Sequence, residues 1–418
     1  MNQRLLDLLR CPFCGTCVSL VDNAALKRHG SEVETGVLGC ECSAFPVVDG
    51  IPVLITDNTT REAIDALEAG DTESARMTLL GLTDTARATT FRELLLTGSA
   101  LTYRAALEVL SGNAEGTYFI YRFSDPTYVT AEALLRVLAP HQSSTTRYRL
   151  DLCGGSGHLT RTLDTIDSRR TVTVTTVLAD VVFWKLWLAT RFTAPRCFPV
   201  CCDANHPLPF ARDTFGMVVL SDAFPYIWHK RLLADEMVRV SGPDGLIVMP
   251  HLHSALGENV SAGNMLTPDA YRGLFSLQSP RLFCDSRLLA DVVKHQAVDL
   301  SQEISLAELN TEPSLTLIAS RRSDIFRRYE VLDVQDVSGE LRVNPLYRVE
   351  YRDGRSVLTL VFPSTEYGAE FRACRQYLPN TITVRGNLTN AIRADSLKTD
   401  SVELRRRRIL LDLPPRYS

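Results

Sequence analysis

Residues 148–160 read YRLDLCGGSGHLT, and this stretch decides the fold. An apolar, extended run carries Asp151 near its end and passes at once into Gly154, Gly155 and Gly157. Glycines can turn at positive φ and let backbone approach a ligand without side-chain clash. The helix that opens near His158 would present free N–H groups at its N-terminus. The stretch therefore reads as strand, glycine turn and helix, with Asp151, Gly154, Gly155 and Gly157 as candidate cofactor-binding residues.

Working outward, residues 148 to about 320 alternate β-branched runs (YRLDLCG, TVTVTTVLAD, FGMVVLSD, GLIVMP, SLTLIAS) with helical segments. That alternation predicts an α/β, Rossmann-like doubly wound sheet with parallel strands, over 141–322. In VLADVV, Asp180 closes the second strand, where a carboxylate can accept hydrogen bonds from both hydroxyls of a ribose. Asp203 in CCDANHPLPF follows a further strand and could accept from an adenine amine. Thr160 stands where the third glycine of a dinucleotide-binding G-x-G-x-x-G would be, which argues against a pyrophosphate and against an NAD-dependent enzyme.

LDLCGGSGHLT, LAD, CCDANHPLPF and FGMVVLSD, in this order, resemble the class I S-adenosylmethionine (SAM)-dependent methyltransferases over residues 120 to about 320. The resemblance implies SAM as cofactor, with Asp151, the glycine turn, Asp180 and Asp203 around it. Cys153 departs from it, standing where that family usually has its first glycine. The family's segment before the first strand caps the cofactor, and here it is the aromatic GTYFIYRFSDPTYV, in which Tyr118, Tyr121, Arg122 and Tyr128 could close over the ligand or pack into helices.

Reacting groups in open α/β sheets lie beyond the carboxyl ends of the strands. That draws attention to Asp222, Phe224 and Tyr226 after the fourth strand, and to His251 and His253 in PHLHSALGEN, read as a loop after the fifth. A neutral imidazole can accept a proton from a hydroxyl or an acidic carbon near pH 7. His251, His253, Asp222 and Tyr226 are the candidate catalytic residues. SDAFPYI is not the Asn-Pro-Pro-Tyr type that relatives use on nucleobase or glutamine amines.

Of eleven cysteines, five fall before residue 43. Cys11 and Cys14 sit in CPFCG, and Cys40 and Cys42 in LGCECSAFPVV, with Cys17 as a spare thiol. Two close thiol pairs separated by a hairpin-length insert can supply four soft ligands to a zinc ion, and four cysteines leave no open position for catalysis. The metal site is thus expected to be structural, with Cys11, Cys14, Cys40 and Cys42 as ligands. LLRCPFCG, the second pair and FPVVDGIPVLI together resemble the small zinc-ribbon family that activates tRNA and protein methyltransferases, over residues 1 to about 56. Cys197, Cys201 and Cys202 lack a partner set and read as buried thiols.

The remainder frames these sites. Residues 57–140 read as a helical lead-in, and residues 323–418 as a C-terminal α+β unit with a hairpin at Asp353 and Gly354 and a helix over STEYGAEFRACRQYL. The run Arg405 to Arg408 reads as a solvated face. The chain has 418 residues, 45% of them hydrophobic, so two or three folding units with ordinary cores are expected. A net charge of -4 gives no global electrostatic reason to expect nucleic acid. No apolar run approaches the roughly 18–20 residues of a membrane span, and no secretory leader is visible, so a cytosolic protein is expected. The sequence reading is methyl transfer from SAM to the oxygen, nitrogen or carbon of a small-molecule or peptide acceptor in biosynthesis. RNA or tRNA methylation, and a non-catalytic scaffold of the same fold, stand as alternatives.

Overall fold

The computed structural model describes residues 1–98, 101–142, 146–167, 174–258, 263–330, 332, 337–388 and 400–417. Its centre is one sheet of seven strands: β1 (Tyr148–Leu152), β2 (Thr175–Asp180), β3 (Phe198–Cys201), β4 (Met217–Val219), β5 (Leu246–His253), β6 (Pro280–Cys284) and β7 (Ser314–Ala319). Their spatial order is 3-2-1-4-5-7-6. Strands β1 to β5 pair in parallel, and β7 runs antiparallel to both β5 and β6. This is a doubly wound α/β sheet, mostly parallel, with a cysteine cluster before it and an α+β extension after it.

One strand expectation is corrected, and one strand carried no sequence signal. SLTLIAS, read as a parallel strand, is the antiparallel β7, slotted between β5 and β6. The strand PRLFC at β6 was not read at all: it opens on a proline and has no β-branched residue, so it lacks the usual strand signal. For TVTVTTVLAD, residues 171–173 lie outside the described residues, and β2 starts at Thr175.

The N-terminal segment closes one edge of this sheet. The hairpin Ala44–Val48 and Ile51–Pro52 turns at Asp49 and Gly50, both at positive φ. Just beyond it, Val53 forms a parallel bridge with Cys201, and Leu54 N–H donates to the Cys201 carbonyl at 2.7 Å. An exposed strand edge is a template for unwanted pairing, and here the edge at β3 is covered from within the chain. Arg10 N–H donates to the Pro209 carbonyl at 2.9 Å, a second backbone tie.

The helices of the lead-in start where their caps dictate. Asp57 accepts from Thr60 N–H at 2.7 Å at the head of Asn58–Glu68, and Asp125 accepts from Tyr128 N–H at 2.7 Å at the head of Pro126–Leu138, with Pro126 in the first turn. One continuous apolar core runs from Leu5 and Phe45 through Tyr103 and Leu107 to Leu150, Trp187 and Met249. A second gathers Leu346, Leu358, Tyr367, Cys374 and Ile409 from the C-terminal elements. Cys197, Cys201 and Cys202 are buried in the first. No helix among the described residues is long and apolar enough to cross a membrane.

In the C-terminal part, the hairpin Tyr347–Arg352 and Arg355–Leu360 closes at Asp353 and Gly354 and adds Thr381–Arg385 as a third strand. The helix expected over 364–378 is shorter: Thr365–Glu370 is α-helical, Phe371 leaves helical geometry at φ -98° and ψ 30°, and a 3-10 stretch follows. Nor is the arginine run uniformly solvated. Arg408 is ion-paired with Glu132 and lies 5.8 Å from the Tyr128 ring centroid.

Candidate active site

The turn after β1 is built by close approach. A Cβ on Gly154 would lie 2.5 Å from Leu178 Cδ1 and 2.6 Å from Asp151 Cγ, so the strand end has room only for hydrogen there. At Gly155, with φ +57°, a Cβ would come within 3.0 Å of the Phe119 ring, which rests on the turn from the helix Asn113–Tyr121. Gly157 has φ +78°. Cys153 also adopts a left-handed φ of +55°, a conformation that a glycine would take without a Cβ penalty.

Two carboxylates flank this turn. Asp180 accepts from Gly155 N–H and Val182 N–H, both at 2.9 Å, and so braces the turn from the end of β2. Burial pushes its carboxyl above the ordinary range, against the opposing charge of Lys185. Asp151 is fully buried and accepts from Thr160 Oγ1 at 2.6 Å through one oxygen, while its Oδ1 has no hydrogen-bond partner among the described residues. Burial first, and the like charge of Asp180, push the Asp151 carboxyl up to about 6. Asp203 sits past the end of β3, accepting from Asn205 N–H at 2.8 Å in a local turn and facing His206 Nδ1 at 3.2 Å.

Behind the turn a polar relay ties distant segments together. His158 Nε2 meets the Tyr417 hydroxyl at 2.9 Å, and that hydroxyl donates to the Phe119 carbonyl at 2.8 Å. The phenol can do both only if it accepts from His158 Nε2–H. Burial keeps His158 neutral, its proton affinity far below the ordinary value. Tyr103 stacks on Tyr417 at 4.5 Å and meets Ser156 Oγ at 2.7 Å.

Across the switch point, the ends of β4 and β5 bring Asp222, His251 and His253 together, with one donor atom from each all within 4.8 Å. The two histidines lie in strand β5 and not in a loop, which corrects the sequence expectation. Pairing continues through Leu252 with Leu315 and His253 with Ser314, but one extra residue is inserted between Met249 and Leu252. Such a bulge re-aims side chains, tolerates Pro250, and here places His251 at φ +60°. The imidazoles lie 4.8 Å apart between ring centroids.

Each member of the trio is oriented by a partner. His251 Nδ1 faces Asp285 Oδ2 at 2.9 Å, and Asp285 in turn accepts from Thr316 Oγ1 at 2.7 Å. His253 Nε2 faces Asp222 Oδ1 at 3.3 Å, and Tyr118 donates its hydroxyl to Asp222 Oδ2 at 3.0 Å. Burial disfavours charge on both, yet Asp222 and Asp285 hold the His251 imidazole above its ordinary proton affinity, while His251, His253 and Arg122 hold the Asp222 carboxyl below its own.

The remaining expected site residues have other partners or lie at the surface. Tyr226 lies 57% exposed on a 3-10 turn at the surface. Arg122 is buried in an ion pair with Asp125 at 2.8 Å, and Tyr121 packs 5.6 Å from Tyr367 in the second core. Tyr128 is a core residue whose hydroxyl meets Thr162. The sequence reading missed Phe119, Asp285 and Thr316. Phe119 stood in the aromatic segment already singled out, but an aromatic in such a run gives no sign of which ring meets the turn.

Three left-handed non-glycine residues, Cys153, Asp222 and His251, sit at the ends of β1, β4 and β5. Three buried polar atoms without a hydrogen-bond partner among the described residues, Asp151 Oδ1, Ser221 Oγ and His253 Nδ1, sit at the same three strand ends. Strain and unmet polarity of this kind cluster where a ligand is to be held.

At the far edge of the sheet the four cysteines converge. Sγ separations are 3.6 Å for Cys11 and Cys42, 3.8 Å for Cys14 and Cys40, and 3.8 Å for Cys40 and Cys42. A tetrahedron of thiolates about 2.3 Å from zinc has edges of about 3.8 Å. Gly15, at φ +74°, donates its N–H to the Cys11 carbonyl at 2.9 Å and closes the first turn. Phe13 N–H and Cys42 N–H point at the sulfurs of Cys11 and Cys40. Cys17 lies outside this cluster.

No family model matches the chain, and no curated protein matches it. Solved structures do. A chain of the complex between the Haloferax volcanii Trm112 methyltransferase activator and a methyltransferase is 14% identical, with TM-score 0.34, covering 49% of this chain and 93% of that one. An S-adenosylmethionine-dependent methyltransferase from Mesorhizobium loti is 15% identical, with TM-score 0.33, covering 46% and 98%. Geranyl diphosphate C-methyltransferase from Streptomyces coelicolor is 12% identical, with TM-score 0.32, covering 46% and 76%.

Proposed function

We propose that this chain is a SAM-dependent methyltransferase acting on the oxygen, nitrogen or carbon of a small-molecule or peptide acceptor, with a structural zinc ion held by Cys11, Cys14, Cys40 and Cys42. The observation that carries the reading is the convergence of strained residues and unpartnered polar atoms at the ends of β1, β4 and β5. The cofactor would supply an electrophilic methyl on a sulfonium. The residues fit it: Gly154, Gly155 and Gly157 give backbone approach, Asp180 offers ribose hydroxyls an acceptor, and the unpartnered oxygen of Asp151 suits the ammonium of the methionine part. Asp203 would take the adenine amine.

On this reading the acceptor lies between the glycine turn and the trio Asp222, His251 and His253. Methyl transfer is an in-line displacement, so the chain mainly orients the acceptor and, where needed, takes its proton. His251 and His253, each fixed by a carboxylate, are placed to do so. Calorimetric titration with SAM and S-adenosylhomocysteine tests the reading: micromolar-order binding that Asp180→Ala weakens at least tenfold supports it. Absence of binding by zinc-replete protein sinks it and leaves a scaffold.

A further inference from the structure

The geometry points to a second metal site: Asp222, His251 and His253 bind one divalent first-row transition-metal ion, whose open positions take an oxygen donor of the acceptor. The metal part stands on its own geometry, and the acceptor part rests on the methyl-transfer reading.

Two imidazoles and a carboxylate are the donor set of open metal sites, which keep coordination positions for exchangeable oxygen ligands. Here one donor atom from each residue already lies within 4.8 Å of the others, and His253 Nε2 and Asp222 Oδ1 are 3.3 Å apart. Ligands about 2.0–2.2 Å from a metal are about 3.0–3.5 Å apart, so shifts of about 1 Å or less would complete the site. The bulge and the left-handed backbone at His251 and Asp222 hold these side chains in place. His251 meets Asp285 through Nδ1, and Thr316 fixes Asp285. A carboxylate behind the histidine is the usual support of a metal-ligating imidazole, since it fixes the tautomer that leaves Nε2 free to coordinate.

The surroundings favour a cation. Asp222 and Asp285 touch the histidines directly, and Glu370, from the helix Thr365–Glu370, stands near enough to interact electrostatically with Asp222, His251 and His253. Facing them is the Arg122 guanidinium, which is already ion-paired with Asp125. His253 Nδ1 and Ser221 Oγ, both buried, have no hydrogen-bond partner among the described residues. The trio is not sealed: side-chain exposures of 19%, 18% and 11% for Asp222, His251 and His253 leave an entry path. With a metal bound, the imidazoles are ligands and cannot also take the acceptor's proton. The cation itself would then favour the deprotonated acceptor oxygen.

The test is metal stoichiometry on the full chain, dialysed against zinc and then against metal-free buffer. Two zinc equivalents are expected, one lost in His251→Ala and in His253→Ala and the other retained. Adding Co2+ to protein holding a single zinc equivalent should give visible d–d absorption without thiolate charge transfer, because the cysteine cluster is already filled. Asp285→Asn, which removes no ligand, should weaken the second site about 10- to 100-fold. One equivalent in the intact protein, or a second equivalent that survives both histidine variants, overturns the inference. S-adenosylhomocysteine binding, measured on the same samples, separates the two readings and shows that the variants fold. Binding without a second metal retires the metal site and leaves methyl transfer standing, whereas a second metal without binding retires methyl transfer and the acceptor part with it, leaving the metal site.

Discussion

The Asp49 carboxylate joins three parts of the chain, and its removal should be felt globally. It sits in the hairpin turn after Val48, with a side chain only 4% exposed. Arg76 of the lead-in donates to it from Nε and Nη2, both at 2.7 Å. Trp187 Nε1 donates at 2.9 Å and Arg191 Nη2 at 3.0 Å, both from the segment after β2, and the Arg191 guanidinium lies 4.0 Å from the Trp187 ring centroid. Asp49→Asn is the informative variant, because asparagine tolerates the φ of +52° at this position and keeps the turn. What it removes is the charge, leaving two guanidiniums without their counter-ion. Breaking a buried pair from one side costs about 3–5 kcal/mol, and since Arg76 and Arg191 keep some access to water the lower end, about 3 kcal/mol, is expected.

The pH dependence follows with a definite sign. Burial alone would raise the Asp49 carboxyl, but Arg76, Arg191 and Trp187 outweigh it and hold it below its ordinary value. A carboxyl depressed in the folded state stabilises above its unfolded pKa of about 3.9, and that contribution is lost as pH falls through the lower folded value. Urea denaturation of the intact protein and Asp49→Asn at pH 7, and again in steps below pH 4, reads both effects. The gap should be about 3 kcal/mol at neutral pH and should narrow in acid. A gap under about 0.5 kcal/mol at pH 7, the scatter of ordinary surface substitutions, would refute the reasoning, as would one that acid leaves unchanged.

Asp151 should behave in the opposite way. With its carboxyl pushed up to about 6 by burial, the folded state binds a proton more tightly than the unfolded one, so its contribution falls as pH rises through that range. Asp151→Asn should therefore raise the stability of ligand-free protein at pH 7 by about 1–3 kcal/mol while weakening SAM binding, which thermal melts with and without cofactor would show. A variant both less stable and equally avid would contradict the assignment. On the zinc reading, stripping the cysteine cluster with a strong chelator, or by Cys40→Ser, should lower the melting temperature and expose reactive cluster thiols, four after chelation and three in the variant, read by thiol titration. Unchanged melting in fully zinc-free protein would show that the cluster does not hold the N-terminal segment.

The sheet was legible because its signals are local. A glycine turn, an acidic strand end and β-branched runs announce themselves within about ten residues. The same holds for Cys11, Cys14, Cys40 and Cys42, where spacing picks out two thiol pairs; that Cys17, which could have replaced one of them, stays outside the cluster is a result of the folded chain. What escaped was settled by pairing across the chain. Pro250 suggests a strand end, yet the bulge lets β5 continue and carry His251 and His253 within it, a result that depends on β7 more than 60 residues later. Asp285 could not be found, because its meaning comes from a hydrogen bond to His251 and another from Thr316. The pairing of Arg122 was equally hidden: a charged side chain in an aromatic segment gives no sign that Asp125 holds it.

The helix Asn113–Tyr121 shows why the lead-in and the C-terminal elements bear on one site. Its consecutive residues Tyr118 and Phe119 reach the two halves of that site, Tyr118 through its hydroxyl to Asp222 and Phe119 through its ring to Gly155. From the other side, Phe371 lies 6.5 Å from Tyr118, Tyr367 lies 5.6 Å from Tyr121, and Tyr417 holds the Phe119 carbonyl. The helix is therefore clamped between the glycine turn and the C-terminal elements, and neither half of the site can be reshaped without disturbing the other. On the methyl-transfer reading, Gly155 marks the cofactor and Asp222 the acceptor, so two adjacent side chains set the distance between them. In a displacement whose rate falls steeply with misplacement of about 1 Å, that spacing is what the added elements contribute. On that reading the C-terminal residues would act on the reaction through the position of this helix as well as through any contact with the acceptor.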